Sequence, residues 1–265
     1  MNDEPWTIAT GDDPIVATAI HAGHDLRNEI AEAIQLPDTD RRREEDPYTD
    51  HWVGIAKNSI VVNRSRFEVD LNRPREKAVY IVPDDAWGLE IWKTTPGDDI
   101  IARSLELYDR FYAEIGALCD EIIATHGHVV VLDLHSYNHR RRGPEAPVDD
   151  PELNPEVNLG TASIDPDPWG DVVDAFTSTM RDLPFFDGNL DVRANVKFTG
   201  GNMSRWINAR YGSSGCAIAV EMKKIYMDEW KGDLDEDVTA TVGRLLESAA
   251  QSVRGILTKS EPRAR

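Results

Sequence analysis

The sequence predicts an α/β fold with a mixed, mainly parallel central sheet flanked by helices. Short β-branched apolar runs alternate with stretches of helical apolar spacing along most of the chain. Val129–Leu134 is apolar at nearly every position, as expected of a strand covered on both faces. Two of the runs, Ile15–Ile20 and Val129–Leu134, are followed at once by a histidine. Such a position suits the carboxyl end of a strand in an open sheet, where ligands gather.

The elements follow in order. Ile15–Ile20 is the first strand, and His21 stands at its end. Arg27–Gln35 has helical spacing at Ile30, Ala31, Ala33 and Ile34, and Pro37 stops it. Residues 38–50 are dense in charge and read as a solvated loop. Short strands are expected at 59–64, 66–71 and 78–82. The segment 100–126 places Leu105, Tyr108, Phe111, Tyr112, Ile115, Leu118, Cys119, Ile122 and Ile123 three and four apart, which predicts one long buried helical face ended by Gly127. A strand at 128–134 then leads to His135. From about 139 to 168 the chain is irregular, basic at first and then rich in Pro, Asp, Asn and Gly, the composition of a lid or binding loop. A helix near 169–182, a strand near 190–198, a Gly200-Gly201 break and the run Ala217–Val220, ending in Glu221, come next. The last helix, roughly 235–257, buries Val238, Val242, Leu245, Leu246, Ala249 and Val253, and a polar tail follows. No internal repeat occurs, and residues 1–265 read as a single domain.

Composition narrows the function. Asp+Glu outnumber Lys+Arg by 48 to 29, a net charge of −19 that repels phosphate backbones and argues against nucleic acid as a partner. The pocket can still be cationic, because local arginines set its potential. Cys119 and Cys216 are too few and too separated for a disulfide framework or a CxxC site, and read as buried thiols. No apolar run approaches the ~18 residues of a membrane span, and the first residues show neither a basic nor an apolar leader segment, so no membrane partner and a cytoplasmic location are expected.

A hydrolytic metal site needs three protein ligands, an open position for water and a nearby carboxylate to take the water's proton. His21 and His135 supply nitrogens, and an acid from the Glu44–Asp50 segment supplies oxygen. Glu221, at a strand end, is the candidate general base. His24, three residues after His21, is a lesser option as a ligand. Arg64-Ser65-Arg66 and Asn72-Arg73 gather donors suited to a substrate carboxylate. The Arg140-Arg141-Arg142 run reads instead as a solvated face.

With these residues in view, the chain resembles the N-formylglutamate amidohydrolase family. The matching pieces occur in one order: Ile20-His21-Ala22-Gly23, Glu45–Asp50, Ser65–Arg73 (SRFEVDLNR), Asp133-Leu134-His135-Ser136, Asn158–Thr161 and Ala219–Met222. The resemblance implies a fold related to zinc carboxypeptidases and aspartoacylases. It also implies a metal-dependent hydrolase of the amide C–N bond of an N-acyl amino acid, with N-formyl-L-glutamate as prototype. A carboxypeptidase-like or aspartoacylase-like substrate and a non-enzymatic binder of acidic metabolites are the alternatives. By position, it implies His21, Asp46 and His135 at the metal, with Glu45 and Asp50 competing for the acidic place. Glu221 is implied as base and acid, and Arg66, Asn72 and Arg73 on the substrate carboxylates, with Arg66 also at the reacting group. The implied cofactor is Zn²⁺, though His/carboxylate sites also accept Fe²⁺, Co²⁺ or Mn²⁺. The implied partner is a small anionic N-acyl amino acid, bound by a monomer or small homo-oligomer.

Overall fold

The computed structural model describes residues 4–258. Met1–Asp3 and the polar tail from residue 259 onward lie outside the described residues. Fifteen regular elements follow one another: β1 (Trp6–Ala9), β2 (Ile15–Ala19), α1 (Asn28–Ala33), α2 (Asp38–Glu44), β3 (Asn58–Val62), α3 (Asp98–His126), β4 (Val129–Tyr137), β5 (Val157–Gly160), α4 (Pro166–Asp182), β6 (Pro184–Phe185), β7 (Gly188–Asn189), β8 (Val192–Ala194), α5 (Asn202–Tyr211), β9 (Gly215–Lys223) and α6 (Glu236–Leu257).

Seven strands form one sheet in the order β1-β3-β2-β4-β9-β5-β8, while β6 and β7 make a separate hairpin. The β2–β3, β2–β4, β4–β9 and β5–β8 pairs are parallel, and β1–β3 and β5–β9 are antiparallel. β4 and β9 are buried at nearly every position, and their first halves are correspondingly apolar, because both faces are covered. Val130, Leu132 and Leu134 of β4, with Ile218 and Val220 of β9, join a core that includes Val172 and Phe176 of α4 and Val242, Leu246 and Val253 of α6. Val129, Val131 and Ala217 point the other way, into a core with Phe111 and Ile115 of α3 and Met203 and Ile207 of α5. The α6 stripe is the one its spacing predicts, and Asp235 caps it by accepting from Val238 N at 3.0 Å. Burying each such aliphatic side chain contributes about 1.5–3 kcal/mol.

Four expectations are corrected. No strand forms at 66–71 or 78–82. Phe67, Val79 and Tyr80 instead join Ile30, Ile34, Ile91 and Trp92 in a third, smaller core beside the sheet, so their apolar character serves a turn-rich segment. Residues 38–50 are not a solvated loop: 38–44 are helical, and Arg41, Glu44, Glu45 and Asp46 are buried. The irregular stretch 139–168 is interrupted by β5, which pairs with both β8 and β9. The fourth concerns omissions, since β1 and α5 carry too weak a pattern to stand out in the sequence. Both cysteines are buried and unpaired, and burial pushes the Cys119 thiol up to about 12. No helix among the described residues is long and apolar enough to cross a membrane.

Candidate active site

Strand parity places the first groups. Asp133 and His135 lie on the β4 face of Val129 and Val131, two positions apart. In the parallel β4–β9 register His135 stands opposite Glu221, and across the antiparallel β5–β9 pair Glu221 stands opposite Asn158. Both strands run two residues beyond these side chains, so His135 and Glu221 are mounted on regular backbone rather than at its frayed end. His21 comes two residues after β2, where the chain turns. Gly23 makes that turn possible, because a Cβ there would lie 2.2 Å from the backbone carbon of Asn63.

His21, Asp46 and His135 converge, with one ligand atom from each lying within 4.8 Å of the others. The two imidazole rings are 4.9 Å apart, centre to centre. His135 Nδ1 lies 3.0 Å from Asp46 Oδ2, and His21 Nδ1 lies 3.4 Å from the same oxygen. All three residues are buried. His21 Nδ1 has no hydrogen-bond partner among the described residues, which is costly for a buried nitrogen unless something else takes its lone pair.

Each imidazole is backed by a carboxylate at its other nitrogen. His21 Nε2 meets Asp70 Oδ1 at 2.8 Å, and His135 Nε2 meets Asp133 Oδ2 at 2.8 Å. Metal-ligating histidines characteristically donate their second N–H in this way, which fixes the ring and leaves Nδ1 to face an ion. The donor set and the orphaned Nδ1 therefore fit a divalent transition metal. Asp133 is held in turn by Thr18 Oγ1 at 2.8 Å. Asp70 accepts from Asn72 N at 2.8 Å, from Arg66 Nη2 at 2.7 Å and from the Tyr80 hydroxyl.

Electrostatics follow from burial. Asp46 and Asp70 are held well below the usual carboxylate range: desolvation opposes ionisation, but the His135 hydrogen bond and the charge of both nearby imidazoles favour it at Asp46, and Arg66 and His21 do so at Asp70. The His135 imidazole is raised well above its ordinary value; desolvation opposes the shift, and the Asp133 and Asp46 carboxylates outweigh it. Glu221 is pushed up to about 7, mainly by desolvation, with attraction to His135 offset by repulsion from Asp46 and Asp133. A buried carboxyl titrating near neutrality is matched to proton transfer.

These groups open into a cavity of about 240 Å³ that Arg43, Glu44, Arg66, Asn72, Arg73, Trp87, Arg141 and Lys224 also line. Asn72 joins its two sides: its Nδ2 lies 3.3 Å from His135 Nε2 and its Oδ1 accepts from Met203 N at 3.0 Å. Gly201 is needed here, since a Cβ would sit 2.2 Å from the Asn72 amide. Lys224 donates to the carbonyls of Arg43 and Glu45 at 2.6 and 2.7 Å, tying the segment that carries Asp46 to the end of β9. A roomier depression of about 790 Å³ between α6 and the 49–55 turn holds none of these groups.

The N-formylglutamate amidohydrolase family model matches residues 13–227. The chain belongs to that family. A crystal structure of an N-formylglutamate amidohydrolase from Ralstonia eutropha superposes with a TM-score of 0.75 at 18% identity, covering 96% of this chain and 98% of the other. A gene product of Agrobacterium tumefaciens gives a TM-score of 0.65 at 15% identity, over 96% of each chain. At these identities the likeness is one of fold. No curated protein sequence matches the chain.

In this member of the N-formylglutamate amidohydrolase family, the three candidate acids lie in different surroundings. Asp46 faces both imidazoles. Glu45 lies in a buried network with His24 Nδ1 at 2.5 Å, Arg41 Nη1 at 3.1 Å and the Ser65 hydroxyl, so His24 faces Glu45. Asp50 is exposed. Arg66, Asn72 and Arg73 all reach the cavity, but Arg66 is already paired with Asp70, and Arg73 lies 3.9 Å from the same carboxylate. The Arg140–Arg142 run is not simply a solvated face, because Arg141 reaches the buried Glu44 at 2.8 Å. Sequence reasoning missed Asp70 and Asp133. The signal for Asp133 was its place two residues before His135 on one strand, and Asp70 lies inside the SRFEVDLNR element.

Proposed function

We propose that this chain is a metal-dependent amidohydrolase that cleaves the amide C–N bond of a small N-acyl amino acid, with N-formyl-L-glutamate plus water giving formate and L-glutamate as the prototype. The observation that carries this reading is the convergence of His21, Asp46 and His135, each imidazole backed by a carboxylate, beside the buried Glu221. On this reading those three residues hold the ion, with Zn²⁺ the best match to the donors. Bound there, such an ion lowers the pKa of a water toward ~7 and polarises the scissile carbonyl.

The remaining work falls to the chain. Glu221 takes a proton as the water oxygen bonds to the carbonyl carbon, and returns it to the amine nitrogen as the C–N bond breaks. Arg66 donates to the oxygen on which negative charge develops. It spends three N–H groups on Tyr80 Oη, Glu44 O and Asp70, which leaves an N–H on each Nη for substrate. Asn72 and Arg73, with Arg66, anchor carboxylate oxygens. The cavity, at about 240 Å³, falls below the ~300–1,000 Å³ of a typical drug-sized pocket, which favours a single acylated amino acid over a peptide. The enzyme acts in the cytoplasm, as a monomer or small homo-oligomer.

The test is release of formate from a panel of N-formyl amino acids, assayed with and without chelator. Release strongest from an acidic member and lost on chelation is the expected result. Turnover unchanged by exhaustive chelation would remove metal dependence, and no turnover of any N-formyl or N-acetyl amino acid would remove the reaction.

A further inference from the structure

Trp87 takes part in none of the chemistry above, yet it lines the same cavity while 45% exposed. It ends the short 3₁₀ turn Pro83–Ala86 with φ at +54°, a left-handed conformation that a bulky residue rarely adopts. Two cations from separate stretches of chain lie against its indole. The guanidinium carbon of Arg66 is 5.0 Å from the ring centre, and that of Arg141 is 5.8 Å from it. Tyr80, which bonds Asp70, meets the indole edge-on at 6.1 Å between ring centres. Arg141 is in turn fixed to Glu44 by both terminal nitrogens, at 2.8 and 3.3 Å.

The segment carrying Arg141 is anchored close to its start. Glu229 accepts from His139 N at 2.7 Å and Arg140 N at 3.0 Å, and Trp230 Nε1 donates to Arg140 O at 3.0 Å. A guanidinium that rests its face on an aromatic ring keeps its N–H edges free for carboxylate oxygens. Trp87 thus does two things with one ring. It packs against Arg66, whose guanidinium is hydrogen-bonded to Tyr80, Glu44 and Asp70, and with Arg141 it lines the side of the cavity where Arg66 sits.

We infer that Trp87 is a specificity-determining residue: it caps the end of the pocket that receives the substrate carboxylates, admitting a free amino-acid carboxylate and excluding an acid extended by a further residue. The inference rests on the carboxylate-binding role proposed for Arg66. The natural variant for testing it is Trp87→Gly, which tolerates the positive φ and removes the ring, with Arg141→Gln as a second variant that opens the span from its other side.

Two measurements on the full chain separate this inference from the reading beneath it. Calorimetric binding of the product-like probes L-glutamate and L-glutamyl-L-alanine needs no turnover, while formate release from N-formylglutamate and N-formylglutamyl-alanine needs the reaction. The unaltered chain should prefer the free acid by at least about tenfold in both assays, and Trp87→Gly or Arg141→Gln should narrow that ratio severalfold while Trp87→Phe keeps most of it. The cap is overturned if both opening variants fold with the original ratio, or if the unaltered chain binds the two probes equally. Absence of formate release alongside an intact binding ratio would count against the proposed reaction and in favour of the cap.

Discussion

The two imidazoles of the site are anchored from two unlike regions of the molecule. His135 is backed by Asp133 from its own strand, and Asp133 is braced by Thr18 of the adjacent strand, so that half of the site belongs to the sheet. His21 is backed by Asp70 from the irregular 64–73 segment, whose carboxylate also holds Arg66, Tyr80 and the Asn72 amide. The carboxylate support of one half therefore comes entirely from the sheet. The other couples the orientation of an imidazole to the placement of the cation proposed to meet substrate. A change at Asp133 should be felt at one ring, and a change at Asp70 at a ring and at substrate together.

The harshest way to break the comparison is to remove the centre both halves share. Asp46→Ala and His135→Ala should each abolish stoichiometric Zn²⁺ in purified protein and lower kcat/KM by about 10³-fold or more, since they delete a ligand rather than its support. Retained metal in either variant, measured by elemental analysis, would remove that residue from the ligand set.

A milder pair sharpens it. Asp133→Asn and Asp70→Asn should each weaken metal affinity by about 10–100-fold, read by competition with a chromogenic chelator. Only Asp70→Asn should also raise KM for an anionic substrate, because Arg66 loses its carboxylate partner. Equal KM values for the two variants at saturating metal would refute the asymmetry.

The smallest effect concerns stability. Glu221 ionises at about 7 when folded against an ordinary 4.5, so in metal-free protein the folded state keeps a proton that the unfolded state has released between those values. The stabilising contribution of this group is complete below 4.5 and is lost as pH rises through about 7. Metal-free Glu221→Gln should therefore match the unaltered chain near pH 4 and exceed it at pH 8 by on the order of 2 kcal/mol in denaturant unfolding. A constant difference across that range would show that the carboxyl is not desolvated as described.

The same division explains what could be read from sequence. Apolar runs and helical spacing made β2, β4, β9, α3 and α6 visible and put His21, His135 and Glu221 at strand ends, while the pairing of His135 with Glu221 on one face depends on the β4–β9 register, which no local pattern carries. The 38–50, 66–71 and 78–82 segments depart from the expected loop and strands because their apolar and charged residues are buried by tertiary contacts that have no local period. Phe67 and Tyr80 look like strand residues but fill a side core, and Glu44, Glu45 and Asp46 look solvated but are neutralised by Arg43, Arg141, Arg41 and the imidazoles. Glu45 differs from Asp46 in being held by Ser65 and His24, and Asp50 differs in being exposed, and neither difference leaves a local mark in the sequence.

The position of β9 has a consequence for how the protein comes into being. Among the described residues it is the last strand to leave the ribosome, yet it lies inside the sheet, between β4 and β5. Until it arrives, β4 presents a bare edge and the β5–β8 pair has no link to the rest of the sheet, so a nascent chain passes most of its synthesis with an open template for mispairing. Insertion of that strand also delivers Glu221, which means that the sheet closes and the site gains its carboxyl in a single late event, and any chain cut short before about residue 223 should be both sticky and inert.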